Sequence, residues 1–242
     1  MTREVSVEVK DLSRVFGHFT AVDQISFQVF DGEIFGFLGA NGAGKTTTIK
    51  MLCGLLLPSS GQAWVEGYDV YTETAKIKQN IGYMSQKFSL YEDLTVKENI
   101  EFFGGVYGLS NSELKHAQSQ TLSEFGLETL AAKLTRELPL GWKQRLALGC
   151  SVLHKPKILF LDEPTGGVDP ISRRQFWGKI YELSETGTTV FVTTHYMDEV
   201  EYCNRVSIMH TGKIIAMDSP KNLKTTFKQN TIEDVFVQLM EQ

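Results

Sequence analysis

The stretch Gly39-Ala40-Asn41-Gly42-Ala43-Gly44-Lys45-Thr46, continued by Thr47, fits the pattern G-x-x-x-x-G-K-[ST] without a mismatch. The apolar run Ile34 to Leu38 precedes it and the helix-like IKMLCGLL, Ile49 to Leu56, follows, so the predicted order is strand, glycine-rich loop, helix. Glycines let the backbone fold tightly round phosphate oxygens, and a helix N-terminus aims unpaired N–H groups at them. Lys45 then suits the β- and γ-phosphates of a nucleoside triphosphate, and the Thr46 hydroxyl suits Mg2+. A dinucleotide fingerprint is excluded, because the run does not match G-x-G-x-x-G.

A second segment, KILFLDEP from Lys157 to Pro164, supports that reading. Its apolar residues place Asp162 at the end of a buried strand, where a carboxylate holds Mg2+ or its water. Glu163 is then the candidate general base or water-orienting group. Gln86, in YMSQ, is either a solvated polar residue or a contact to the metal or the attacking water. His195 follows the β-branched run Thr188 to Thr194 and reads as a strand cap or as a partner of the γ-phosphate and water. Phe16 either stacks on a base or packs in the core, with Phe19 beside it.

Outside these motifs the chain has ordinary globular composition. Of 242 residues, 42% are hydrophobic and 22% charged, and the formal net charge is -5. Net acidity disfavours a nonspecific nucleic-acid binder. Cys53, Cys150 and Cys203 are scattered without metal-site or disulfide spacing, which fits buried thiols in a reducing compartment. The N-terminal MTREVSVEVKDL alternates instead of forming a signal core, and no apolar stretch reaches membrane-spanning length, so the isolated chain is expected to be soluble.

Further strands are expected at Val5 to Val9, at Ile25 to Val29 and in QAWVEG, and Gly82-Tyr83-Met84 precedes Ser85-Gln86. Residues 94 to about 135 carry helical spacing, so residues 92–150 read as a mainly helical insertion between nucleotide-binding elements 1–91 and 151–242. Arg173 to Leu183 is expected to be helical. A closing helix is expected over Thr231 to Met240, with Thr231 and Asp234 as a capping pair and Ile232, Val235, Phe236 and Leu239 on its apolar face.

Together these motifs resemble the nucleotide-binding subunit of ATP-binding-cassette transporters, over nearly the whole chain. The resemblance implies an α/β P-loop NTPase fold: an ABC-type ATPase core with an inserted helical subdomain and an N-terminal antiparallel β subdomain. It further implies that Gly39 to Thr46 is the Walker A loop, Ile158 to Asp162 Walker B and Glu163 the catalytic glutamate. Phe16 would hold the adenine-stacking position, Gln86 the Q-loop and His195 the switch histidine, with ATP and Mg2+ bound. Gly166-Gly167-Val168-Asp169 resembles the D-loop SGLD, with Asp169 facing the dimer partner. ELPLGWKQRLALG, Glu137 to Gly149, stands where the signature LSGGQ is expected. Leu138, Gly141 and Lys143-Gln144-Arg145 align, whereas Pro139, Leu140 and Trp142 depart. Pro139 lacks both the serine hydroxyl and a backbone N–H, so one expected γ-phosphate donor is missing, while Gly141 and the following helix start still offer amides. Trp142 has two readings, packing over a partner or filling the helical core.

In this family two ATP molecules lie in a head-to-tail dimer, each between one P-loop and the opposing signature. The implied partners are a second cassette ATPase subunit, identical or not, and integral-membrane permease subunits, with no nucleic acid. The chain would then sit on the cytoplasmic side of the membrane. The runs from Gly32 to Gly67 and from Tyr83 to Ile100, the EDVF tail and the absence of a long domain after residue 220 resemble export-type members. The LPLG variant occurs in members resembling multidrug exporters. The competing readings are a nonhydrolytic regulatory nucleotide-binding subunit and a soluble cassette ATPase acting on nucleic acid or ribosomes.

Overall fold

The computed structural model describes residues 4–241; residues 1–3 and 242, included in the segment bounds above, lie outside the described residues. The chain begins with two long strands, β1 (Val5–Phe16) and β2 (Phe19–Phe30), whose alternating burial fits a sheet with one face covered. Both run well beyond the short segments that alternation alone marks. Next come β3 (Ile34–Leu38), α1 (Lys45–Leu52), β4 (Ser60–Val65), β5 (Tyr68–Asp69), α2 (Thr74–Asn80) and β6 (Ile81–Met84). Helix α1 stops at Leu52, short of the expected IKMLCGLL helix, because Gly54 takes φ +65° and turns the chain.

From β6 the chain enters α3 (Val96–Val106), α4 (Asn111–Glu124), two single 3-10 turns and α5 (Leu140–Val152). Thr95 with Glu98, and Ser110 with Glu113, form reciprocal capping boxes at the starts of α3 and α4. The remaining elements are β7 (Ile158–Asp162), α6 (Pro170–Glu185), β8 (Thr189–Thr194), α7 (Met197–Val200), β9 (Arg205–His210), β10 (Lys213–Asp218), α8 (Pro220–Phe227) and α9 (Ile232–Met240). In α9, Thr231 caps Asp234 N–H, Ile232 and Val235 are buried, and Phe236 and Leu239 are partly buried beside them.

Two sheets result. One is antiparallel, in the order β2-β1-β4-β5. The other runs β10-β9-β3-β8-β7-β6, with β9, β3, β8, β7 and β6 parallel and β10 an antiparallel edge. Strands β3, β7 and β8 are buried on both faces, so their side chains alternate between two cores. Phe35, Phe37, Phe160 and Phe191 meet Phe27 of β2 and the apolar side of α1 on one face. On the other, Leu159, Leu161, Val190 and Val192 meet α3, α5 and α6. The carboxyl ends of β3, β7 and β8 therefore come together between layers, and the loops leaving them carry the polar motifs.

Candidate nucleotide site

Strand β3 delivers the loop Gly39 to Gly44, and Gly44 starts α1 at φ +109°. A side chain there would be strained and would run into Ala21 O at 2.5 Å, which is why only glycine fits. The first-turn amides of α1 have no carbonyl one turn earlier, so Lys45, Thr46 and Thr47 offer N–H groups to the space before them. Lys45 is buried; its ammonium donates to Gly39 O at 2.7 Å and Ala40 O at 3.1 Å and pairs with Glu163 Oε1 at 3.1 Å.

Strand β7 ends in Asp162. Its Oδ1 accepts from Thr46 Oγ1 at 3.0 Å and from Thr193 Oγ1 at 2.8 Å. Burial raises the Asp162 carboxyl above its ordinary range, and Glu163 beside it acts in the same direction; the Thr193 and Thr46 hydroxyls and Lys45 oppose the rise. Glu163, the next residue, takes φ +47°, a costly conformation for a non-glycine residue. Its N–H donates to Thr193 O and Thr193 Oγ1, which hold that turn. Its Oε2 accepts from Gln86 Nε2 at 3.0 Å and lies 3.0 Å from His195 Nδ1. The structure thus brings Lys45, Gln86 and His195 onto one carboxyl group, and Thr46 onto its neighbour. Gln86 is not merely solvated, and His195 is not merely a strand cap.

These residues open on a cleft of about 430 Å³ lined by loop residues Asn41 and Gly42, by Lys45, Gln86 and Glu163, and by Phe19. Phe19, rather than Phe16, is the aromatic residue on its wall. Phe16 is exposed at the hairpin tip, with the Arg14 guanidinium 4.4 Å over its ring. Among the described residues no group of three or more His, Cys, Asp or Glu side chains could hold a metal unaided. The Thr46 hydroxyl beside the Asp162 carboxyl is nevertheless a hard-oxygen pair, which suits Mg2+ when phosphate oxygens and water complete its shell.

Residues 22–166 match the family described as ABC transporter. The chain belongs to the ABC transporter family. It is 52% identical to the probable multidrug ABC transporter ATP-binding protein YbhF of Escherichia coli (strain K12), a match covering 98% of this chain but 42% of that protein. The linearmycin resistance ATP-binding protein LnrL of Bacillus subtilis (strain 168) is 41% identical over 93% of this chain and 73% of its own length. Among solved structures, the ATP binding subunit of an ABC transporter superposes with TM-score 0.87 and 29% identity, covering 97% of this chain and 99% of that one. The ABC ATPase fold, with its antiparallel β subdomain and inserted helices, is therefore the fold of this chain.

The segment Leu138 to Trp142, expected above to be the signature, leads into α5. Leu138 is buried in the helical core, so its side chain anchors the segment instead of facing outward. Pro139 precedes α5 in an extended conformation without a side-chain cap. Its carbonyl accepts from the N–H groups of Trp142 and Lys143 at 3.0 and 3.1 Å, and Leu140 and Gly141 keep first-turn amides without an intrahelical acceptor. The Leu140 side chain is exposed. Trp142 is partly buried against the helical core with Arg145 4.6 Å over its ring, which favours the core-filling reading. Asp169 accepts from Ile171 and Ser172 N–H at 3.0 Å and caps α6, a task within its own chain; the Ser172 side chain foremost, then these backbone bonds, lower its carboxyl.

Sequence reasoning passed over Thr193 and Asn99. Thr193 looks like any β-branched strand residue, and its link to Asp162 and Glu163 appears only when β8 lies beside β7. Asn99 is wholly buried; its Nδ2 donates to Tyr91 O, Thr95 O and Thr135 Oγ1, and its Oδ1 accepts from Tyr91 N–H. It fastens the segment following Gln86 to the helical layer.

Proposed function

We propose that this chain hydrolyses ATP with Mg2+ and that the hydrolysis drives export through separate membrane subunits. The observation that carries the catalytic part is the convergence of Lys45, Gln86 and His195 on Glu163 at the edge of the P-loop cleft. Loop amides and Lys45 would bind the phosphates, while Glu163 would orient water or take its proton for in-line attack. Gln86 and His195 hold Glu163 in place, and Phe19 or Phe16 offers an aromatic face to the base. Thr46, Asp162 and Gln86 would hold Mg2+, which when bound neutralises charge on the phosphates.

Two surfaces support this reading of the partners. The Leu140 and Gly141 amides and the exposed side chain of Leu140 would face ATP bound by a second cassette subunit, with Asp169 near the same interface. A groove of about 700 Å³ among α2, β6 and the end of α3, with exposed Leu55 and Val106 and stacked Tyr107 and His154, would receive a cytoplasmic segment of a permease. No helix among the described residues is long and apolar enough to cross a membrane. YbhF, described as a probable multidrug ABC transporter ATP-binding protein, and LnrL, described as a linearmycin resistance ATP-binding protein, favour export of drug-like molecules.

The test is Mg2+-dependent phosphate release by the wild-type chain beside Glu163→Gln, with ATP affinity and oligomeric state measured for both. Turnover should fall by about 10³-fold in Glu163→Gln with ATP binding retained. ATP binding without turnover in either chain would replace hydrolysis by a regulatory nucleotide-binding role.

A further inference from the structure

Glu199 has 0% exposure, although it lies in the single-turn helix α7 immediately after the loop that carries His195. A carboxyl group removed from water needs hydrogen-bond donors. Glu199 has two hydroxyls: Thr165 Oγ1 donates to its Oε1, and Thr194 Oγ1 donates to its Oε2 at 2.6 Å. Thr194 Oγ1 in turn accepts the Tyr196 N–H at 2.9 Å. From α6, Arg173 brings its Nε to 3.7 Å from Glu199 Oε1, donates to Asp198 Oδ2 at 3.2 Å and lies 4.2 Å over the Tyr196 ring.

The places of the two donors in the chain give this bridge its meaning. Thr165 lies two residues after Glu163, and Thr194 immediately before His195. The β7–β8 ladder ends at the pair Asp162 and Thr193, so both side chains of the proposed hydrolytic pair leave the sheet where regular pairing stops. Glu163 also occupies a strained φ that its surroundings must maintain. Beyond the last rung, the Glu199 carboxyl group spans the same two loops from behind.

We propose that Glu199 is a positioning residue: by joining the Thr165 and Thr194 hydroxyls it fixes the separation of Glu163 and His195. This rests on the hydrolytic reading of the site. Glu199 is wholly buried and acts only through the two loops it ties. Arg173 anchors α7 to α6, so the bridge is fixed to a long helix instead of to a loop.

The test compares Glu199→Leu and Glu199→Gln, each alone and combined with His195→Ala, for Mg-ATP hydrolysis. The His195 imidazole resonance of the Glu199 single variants is also recorded by NMR without nucleotide. Glu199→Leu should lower kcat about 10- to 100-fold while KM for ATP stays within about twofold. Glu199→Gln keeps one acceptor and should recover most of the rate. In the His195→Ala background the Glu199→Leu loss should shrink below about threefold, because two residues acting on one arrangement do not add. The imidazole resonance should move in Glu199→Leu and return in Glu199→Gln. Losses that multiply unchanged across backgrounds, with an unmoved resonance, would overturn the proposal. If the wild type shows no hydrolysis at all, the hydrolytic reading falls by itself, and the resonance still decides whether Glu199 places His195. Thr165→Val, which removes one hydroxyl at nearly constant shape, replaces Glu199→Leu if that variant does not fold.

Discussion

The P-loop cleft and the signature end of α5 are opposites. In the first, polar side chains are bonded to one another round two buried carboxyl groups: Lys45 to Glu163, Thr46 and Thr193 to Asp162, and the more exposed Gln86 and His195 to Glu163. In the second, Pro139 starts a helix without a side-chain cap and Leu140 stands in solvent. A buried polar group without a partner is costly, so the cleft must be complete within one chain. An exposed helix start keeps water as a partner at small cost and can wait for another molecule. The contrast teaches which half of the chemistry this chain organises by itself and which half it presents.

The largest effect that could break this contrast belongs to Lys45→Met. It removes the ammonium paired with Glu163 and the donor to the Gly39 and Ala40 carbonyls. ATP affinity measured by calorimetry should fall about 100-fold, in keeping with about 3 kcal/mol for a buried charge partner. A drop below about threefold would remove the cleft from phosphate binding. Next comes Trp142→Ala, which should lower the stability of the isolated chain by about 2 kcal/mol in chemical denaturation, since the indole is partly buried against the helical core. Unchanged stability with weakened ATP-dependent dimerisation would return Trp142 to the partner-facing reading.

Smaller again is Pro139→Ser. It restores an N–H and a hydroxyl at the start of α5, and turnover of the dimer should rise about three- to tenfold, as a gain of about 1 kcal/mol from one donor allows. No rise would mean that the signature end does not limit the rate. The smallest effect is a pH dependence outside both regions. Burial lowers the His154 imidazole below its ordinary 6.5, against the opposing hydrogen bond to Ile81 O. The unfolded chain therefore binds this proton more readily than the folded one. The corresponding stability is fully present above 6.5 and is lost as pH falls through the window between that value and the lower folded one. Denaturation midpoints taken from about pH 7 to about pH 5 should fall more steeply in wild type than in His154→Gln; equal slopes would deny His154 that role.

What could be read in advance follows the same division. Gly39 to Thr46 and Leu159 to Glu163 are short, contiguous and chemically constrained, so the loop and the acidic strand end were legible. Contacts made across the sheet were not. Thr193 and Glu199 are ordinary residues until β8 lies beside β7 and α7 folds behind them. Phe16 and Phe19 flank one turn, and only the hairpin's geometry decides which ring faces the cleft. The β9–β10 hairpin escaped notice because β10 is an edge strand with half-exposed side chains, which weakens its pattern. The early end of α1 depended on the left-handed turn at Gly54.

The three free thiols have a practical meaning. Cys53 lies in the core beneath the antiparallel sheet, while Cys150 and Cys203 lie in the core on the opposite face of the parallel one. Burial raises all three above the ordinary thiol range, and Asp162 adds to the rise at Cys53, so the nucleophilic thiolate is scarce while the chain is closed. A disulfide reagent should then modify each sulfur only as fast as its own layer breathes. Chains retaining one cysteine apiece would serve as timers, clocking separately how often each side of the sheet comes apart.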